Sequence, residues 1–321
     1  MPRTTSAYNV APASIIGIDV AKASVTIFDA ASGRCWRVAN TAQALREALQ
    51  PLANRTLAVC EATGGYERAV LEAACALGLA IHRADAAKVK AFIASHGGNA
   101  KTDPQDARWL ARYGAEREAR LVRWSPPDAD REALGELVCA RRALVDERVR
   151  VKNRRAAPGG AHIDDLYRQH EAHLDAMIEA IDARLTALIE TCDGLKRAEA
   201  ALRTQPGTGR TVARTLLALL PELGTLCPKQ AASLAGLAPH ARQSGAWQGR
   251  QRTYGGRDGL RPMLFMAALT AARRHPALAA FYQRLLAAGK AKRLALTAVA
   301  RKIVVIANAI LRDIKKTPQL T

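Results

Sequence analysis

The apolar positions of the first 125 residues switch repeatedly between two periods. "SIIGIDVAKASVTIFDA" holds two β-rich runs, Ile15–Val20 and Ser24–Asp29, on either side of Ala-Lys, the pattern of a β-hairpin. "CWRVAN" adds a third strand. "TAQALREALQPLA" turns to helical spacing, with Thr41 where an N-cap belongs. "RTLAVCEATGGYE" reads as a short apolar strand ending at Glu61 and running into a glycine turn. "ERAVLEAACALGL" reads as helix, "AIHRAD" as strand, and "DPQDARWLARYGA" as a helix with Pro104 in its first turn. A hairpin, a further strand and then alternating strand and helix predict an α/β domain over residues 14–125, with a flexible arm at 1–13 before it.

Beyond residue 125 the pattern is helical. One helix is expected over about 129–155, ended by "APGGA" at 157–161. From there the apolar positions Leu174, Ile178, Ile181, Leu185, Leu188, Cys192 and Leu195 are spaced alternately four and three apart, a coiled-coil seam. Residues 126–203 therefore read as a helical hairpin or an oligomerising coiled coil, and the regular seam tips the balance toward self-association. Residues 204–321 read as mainly α. "QPGTGRTVARTLLALLPEL" is a glycine turn leading into an apolar helix, and "KQAASLAGLAP" is a short helix. "LRPMLFMAALTAARRHPALAAFYQRLLAAG" and "KRLALTAVARKIVVIANAILRDIKK" are long helices with basic faces.

Charge sharpens this division. The net charge is +19, yet residues 1–203 carry 29 basic and 26 acidic side chains, while 204–321 carry 19 basic and only Glu222, Asp258 and Asp313 as acids. So local an excess calls for a polyanion, and nucleic acid fits best; solubility alone needs far less. Most of the basic residues are arginine, whose planar fork suits phosphate. The six cysteines show no paired spacing, which argues against a zinc site and fits a reducing cytosol. His170 and His173, three apart, read as a solvated helix face. No apolar run reads as membrane-spanning and no signal peptide is seen, so no membrane partner is expected; a basic amphipathic helix on anionic lipid is the remaining use of the charge.

The candidate chemistry is acidic. Asp19 lies within the first apolar strand and Glu61 ends a later one, while Asp103 and Asp106 open a helix three residues apart, on one face. Acids in or at apolar strands are costly unless paired or bound to metal. Converging carboxylates make a hard-oxygen site for Mg²⁺, and two such ions can clamp the attacking and leaving oxygens of a phosphodiester. Asp103 alone also reads as a helix N-cap. Asp29, Asp85 and Glu67 read mainly as structural. "PGTGRT" lacks the Gly-Lys-Ser/Thr ending of a nucleotide-binding loop, which excludes ATP; it reads equally as a turn or as a helix N-terminus that takes one DNA phosphate. "RQSGAWQGRQRTYGGR" is a basic, glycine-rich stretch around the single Ser244.

These segments line up with one family. "GIDVAKASVTIFDA", "VCEATGGYE" and "AKTDPQDARWLARY" resemble the RuvC-like, ribonuclease-H-fold domain of the DEDD transposases, the insertion-sequence family one hundred and ten. "PGTGRTVARTLLALLPELGTL", "AASLAGLAPHARQSG", "YGGRDGLRPMLFMAAL" and "GKAKRLALTAVARKIVVIANAILR" resemble that family's C-terminal transposase domain. The resemblance implies that Asp19, Glu61, Asp103 and Asp106 bind metal, two Mg²⁺ ions per site, and that Ser244 is the nucleophile. It further implies double-stranded donor and target DNA as substrates and a noncoding guide RNA as partner; the seam adds the expectation of a homodimer or tetramer.

The expected mechanism is attack by Ser244 on a DNA phosphate, followed by attack of a second strand's hydroxyl on the phosphoserine link. A serine hydroxyl needs activation, and no acid or histidine lies closer in sequence to Ser244 than His240; the acid site is therefore expected beside it in the assembled enzyme. Arg242, Arg250, Arg252, Arg257 and Arg261 are the expected phosphate contacts, several of them only positional. Two other classes remain: a metal-dependent RuvC-like nuclease in which Ser244 is a turn residue, and a non-enzymatic nucleic-acid-binding protein.

Overall fold

The structure is a computed structural model that describes residues 14–97, 103–159, 161–240, 243–244, 247–248 and 252–316. The expected arm at 1–13 lies outside the described residues. The chain divides into two compact units at Pro126 and Pro127.

The N-terminal unit is built on a five-stranded sheet of β1 (Ile15–Val20), β2 (Ser24–Asp29), β3 (Cys35–Ala39), β4 (Leu57–Glu61) and β5 (Ile81–Ala84), in the order β3-β2-β1-β4-β5. The first three strands form an antiparallel meander, and β4 and β5 run parallel to β1. Helices α1 (Ala42–Leu49) and α2 (Arg68–Ala76) cover one face, while α3 (Ala86–Ser95) and α4 (Asp103–Arg117) cover the other. This is the ribonuclease-H-like arrangement. Strand β1 is central and apolar on both faces, as a strand covered twice must be: Ile16, Ile18 and Val20 pack toward α1 and α2, while Ile15 packs toward α3 and α4. Thr41 caps α1 by accepting from the Ala44 N–H. Helix α3 had no counterpart in the sequence reading, although its N-cap, Asp85, accepts from the Lys88 N–H at 3.1 Å.

Two glycines let α4 lie directly on the sheet. A Cβ on Gly17 would overlap the Ala107 carbonyl and lie 2.6 Å from the Ala111 nitrogen. A Cβ on Gly114 would meet both Ile15 and Val59 at 2.8 Å. Helix α4 thus crosses β1 antiparallel, its C-terminal half over Ile15 and its middle over Gly17.

The C-terminal unit is helical. Helices α5 (Ala129–Ala156) and α6 (Asp164–Thr191) form an antiparallel hairpin, tied by Arg141 to Asp182 and by Arg148 to Asp175. The seam expected from 174 to 195 buries Leu174, Ile178 and Leu185. It ends at Cys192, where α6 stops and α7 (Asp193–Arg203) begins. After these come α8 (Arg210–Leu219), α9 (Pro228–Leu234), four two-residue strands, α10 (Leu260–Arg274), α11 (Pro276–Ala287) and α12 (Lys292–Lys316). The single helix expected over 260–289 is two, because His275 adopts extended backbone before Pro276 and caps α11 by accepting from the Leu278 N–H at 3.4 Å. One core joins Leu134, Val138, Leu185 and Ile189 of the hairpin to α7 through α12. Contrary to the expectation of no membrane-spanning run, helix α12 is long and apolar enough to cross a membrane by length and composition. Half of that apolar stretch is buried within the unit. Gly207 of "PGTGRT" has φ +92° and packs against Ala267 and Ala271 of α10, so this glycine has a packing role.

Candidate active site

Strand alternation sorts the acids before any side chain is considered. In β1, Ile15 and Gly17 face α4, and Asp19 is next in that series. In β4, Leu57 and Val59 face the same side, and Glu61 follows. The parallel ladder pairs Ile18 with Cys60, so Asp19 and Glu61 stand one residue on, at the carboxyl ends of neighbouring strands. Helix α4 supplies the other two acids. From Gly17 to Asp19 the strand advances about 6.6 Å; from Ala107 back to Asp103 the helix advances about 6 Å. Because the two elements run antiparallel from a shared contact at Gly17 and Ala107, the start of α4 comes level with Asp19. Asp103 and Asp106 both lie in that first turn.

Asp19, Glu61 and Asp106 are half-buried, and Asp103 is exposed. Topology brings the ends of β1 and β4 and the start of α4 to one corner of the sheet, but the side chains do not form a finished cage. Among the described residues, no three His, Cys, Asp or Glu groups are arranged to hold an ion. Asp103 instead pairs with the guanidinium of Arg37, which reaches across from β3. The donors are all carboxylate oxygens, which suit a hard divalent cation, and a cationic group already rests on one of them. The residues present fit such an ion.

The loop after Glu61 is braced by Glu67. This carboxylate is 2% exposed and accepts from the Thr63 N–H (3.1 Å), the Thr63 hydroxyl (3.1 Å), the Gly65 N–H (2.8 Å) and Arg83 Nε (2.8 Å). Burial alone would raise its pKa; the hydrogen bonds from backbone N–H groups and Arg83 outweigh that and bring it to about 2. The sign follows. The folded value lies below the ordinary 4.5, so the stabilisation is complete above about pH 4.5 and is lost as pH falls toward 2. Its size is about 3 kcal/mol. Glu67→Gln is expected to lose most of that at neutral pH and to flatten the acid limb of stability. Three of the four tryptophans, Trp36, Trp109 and Trp124, lie in the N-terminal unit, so tryptophan fluorescence during denaturation from pH 7 to 2, measured with Trp247 replaced by Phe, reads it directly. A wild-type acid limb in the mutant would refute the assignment. Two other acids read as structural take structural partners: Asp29 pairs with Arg55 at 2.8 Å, and Asp85 caps α3.

In the C-terminal unit, Ser244 lies on β7 (Gln243–Ser244), which pairs antiparallel with β8 (Trp247–Gln248), Ser244 opposite Trp247. Outside that pair in sequence, β6 (Pro239–His240) pairs with β9 (Arg252–Thr253). The described residues of the stretch expected as a basic loop thus form, with Pro239–His240, an arm of two successive antiparallel ladders, with Ser244 in the outer one. Its base is fixed closely. Gly236 and Gly256 approach so tightly that a Cβ on either would overlap the other segment's backbone. Arg257 donates to the Leu219 carbonyl at 2.5 Å and forms a bidentate pair with Glu222. Arg261 donates to the Thr253 carbonyl at 2.9 Å, and His240 stacks on Tyr254 with ring centroids 4.1 Å apart. Arg252 is exposed; Arg242 and Arg250 lie outside the described residues. His170 and His173 are exposed on α6, and burial pushes the Cys60 thiol up to about 12, which leaves it inert.

The sequence comparisons agree with both units. Residues 16–157 match the DEDD-type IS110 family described as "Transposase", and residues 199–283 match the "Transposase IS116/IS110/IS902 family". The chain is 31% identical over 263 residues to the "Pilin gene-inverting protein" of Moraxella lacunata and equally to that of Moraxella bovis, covering 79% of this chain and 80% of theirs. It is also 36% identical over 115 residues to the "Insertion element IS110 uncharacterized 43.6 kDa protein" of Streptomyces coelicolor, covering 35% of this chain and 28% of that protein. With a ribonuclease-H-like unit, a helical C-terminal unit and these matches in the same order, the chain belongs to the IS110 family of DNA transposases.

Proposed function

We propose that this transposase cuts and rejoins donor and target DNA through two groups, a metal site made by Asp19, Glu61, Asp103 and Asp106 and a nucleophile, Ser244. As a DEDD-type transposase the chain binds DNA and uses divalent metal. The observation that carries the residue assignment is the convergence of Asp19 and Glu61, on neighbouring parallel strands, with the first turn of α4. Magnesium held there, two ions in this reading, would polarise the phosphodiester and stabilise charge on the attacking and leaving oxygens.

The chain's own residues do the rest. Ser244 Oγ forms a bond to phosphorus as the bond from phosphorus to the leaving deoxyribose oxygen breaks; the serine proton is released and the leaving oxygen gains one. A hydroxyl of the second strand then displaces the serine oxygen, so one phosphodiester replaces another and no nucleotide cofactor is consumed. Arg242, Arg250 and Arg252 hold the DNA backbone. Arg257 and Arg261, with partners at the arm's base, keep Ser244 in position. Residues 14–125 carry the acids, 126–203 support pairing of chains as dimer or tetramer, and 204–321 carry the serine and most of the positive charge. The serine and the acids can come from one chain or from two copies. Breaking and rejoining two sites in one molecule would invert the DNA between them, as the name of the Moraxella relatives describes for those proteins.

A noncoding guide RNA supplies target choice in this reading, supported by a charge of +16 over residues 204–321. Purified, ribonuclease-treated protein is expected to recombine plasmids bearing element ends and target only after addition of transcripts from the DNA flanking the gene. Undiminished recombination without RNA would remove the guide from the proposal and leave the chemistry intact.

A further inference from the structure

Among the described residues, a cation reaches the acidic corner at Asp103, and no sequence motif pointed to it. Arg37 pairs with Thr26 across the antiparallel ladder of β3 and β2, and Thr26 pairs with Asp19 across that of β2 and β1. Arg37, Thr26 and Asp19 therefore form one cross-strand row, continued by Glu61 on β4. Strand alternation puts all four on the side covered by α4, while Trp36 and Val38, the neighbours of Arg37, pack on the opposite core. From this row the Arg37 guanidinium reaches Asp103 at the start of α4, 66 positions away in sequence. Both side chains are more than half exposed, 57% and 52%. An ion pair that wet adds little to folding, so stability does not account for an arginine on this row. Its pairing with an acid of this corner does.

We propose that Arg37 is the counter-ion of Asp103 in the ion-free protein and competes with the divalent ion for that carboxylate, thereby setting the ion concentration at which the site loads. The inference rests on the metal-site reading given above. Arg37 is a positioning residue here: it acts through Asp103. A guanidinium and a metal ion cannot both take the same carboxylate oxygens, and their like charges repel at this range. Removing the guanidinium therefore favours the ion, by about three- to tenfold in affinity for a unit charge and a divalent ion roughly 6 Å apart at the dielectric of water and screened by salt.

The test uses the full chain without DNA and Mn²⁺ as probe, with free Mn²⁺ read by electron paramagnetic resonance and folding checked by circular dichroism. Wild type is expected to bind Mn²⁺, Asp103→Asn to bind it more weakly, and Arg37→Gln to bind it three- to tenfold more tightly. Arg37→Lys keeps the charge but loses the planar fork and is expected to lie between wild type and Arg37→Gln. In an Asp103→Asn background, Arg37→Gln is expected to add less tightening than in wild type, since the carboxylate that anchors the guanidinium beside the ion is gone. Arg34→Gln removes an equal charge just before β3, from a guanidinium stacked over Trp36, and is expected to change nothing. Affinity unchanged or weakened in Arg37→Gln, or shifted equally by Arg34→Gln, overturns the role of Arg37 while the metal site stands. Equal binding by wild type and Asp103→Asn, or no binding by either, overturns the metal-site reading itself and the role of Arg37 with it.

Discussion

Ser244→Ala is expected to abolish strand exchange, lowering its rate at least about a thousandfold, while DNA affinity stays within about twofold. The asymmetry comes from what the substitution removes. Alanine deletes one oxygen and keeps the backbone pairing of Ser244 with Trp247 that shapes the arm. The base of the arm rests on Gly236, Gly256 and the pair of Arg257 with Glu222, all of which the substitution leaves in place. Binding, which depends on arginines and phosphates, is left in place. The chemistry is not, because loss of a nucleophile removes the covalent route altogether and leaves only the residual rate of a site that still binds and polarises its substrate. The measurement is a denaturing gel of end-labelled DNA. Wild type is expected to give a band retarded by the 34.5 kDa chain and sensitive to protease; Ser244→Ala is expected to give none. Free nicked ends at the wild-type rate in the mutant would make the protein a hydrolytic nuclease and Ser244 a turn residue. Function unaltered by loss of both the serine and the acids would leave only a nucleic-acid-binding role.

The sheet and its acids were legible in the sequence because they are local. Strands β1, β2 and β4 announce themselves by apolar runs, and Thr41 marks the start of α1 by its hydroxyl. Helix α3 was not legible: only Val89 and Phe92 of its ten residues are buried, too few to set a period. The break between α10 and α11 was written in Pro276, but helical spacing on both sides of it concealed the break. The stop at Cys192 carries neither proline nor glycine at that position, and the seam's period runs straight across it. At the site, alternation with period two could say that Asp19 lies within one strand and Glu61 ends another, but only the register of β1 on β4 puts them on one face. Arg37 was beyond reach for the same reason. Its meaning lies in a row across three strands, which no spacing along the chain encodes. The arm around Ser244 read as loop because two-residue ladders are too short to show any pattern.

Asp19→Asn is expected to lower recombination by about a thousandfold or more and to remove most of the stabilisation that Mg²⁺ gives the fold. Both halves follow from position. Asp19 sits in the central strand, level with Glu61 and the first turn of α4, where carboxylate oxygens suit a divalent ion, and the nearly isosteric amide removes the charge without opening a cavity. An acid kept for structure behaves differently: Asp29, 1% exposed and paired with Arg55, is expected to lose stability on the same Asp→Asn change, with or without the ion, because its guanidinium partner is left unmatched. Thermal unfolding separates the two. With Mg²⁺ added, wild type should melt above its temperature in chelator, as ligand binding stabilises the folded state. Asp29→Asn should rise by the same amount from a lower start, and Asp19→Asn should rise much less. An undiminished response to Mg²⁺ in Asp19→Asn would place Asp19 with the structural acids. A lost response combined with lost recombination is the result that only a site built for an ion produces, because it ties the binding of the ion to the reaction that needs it.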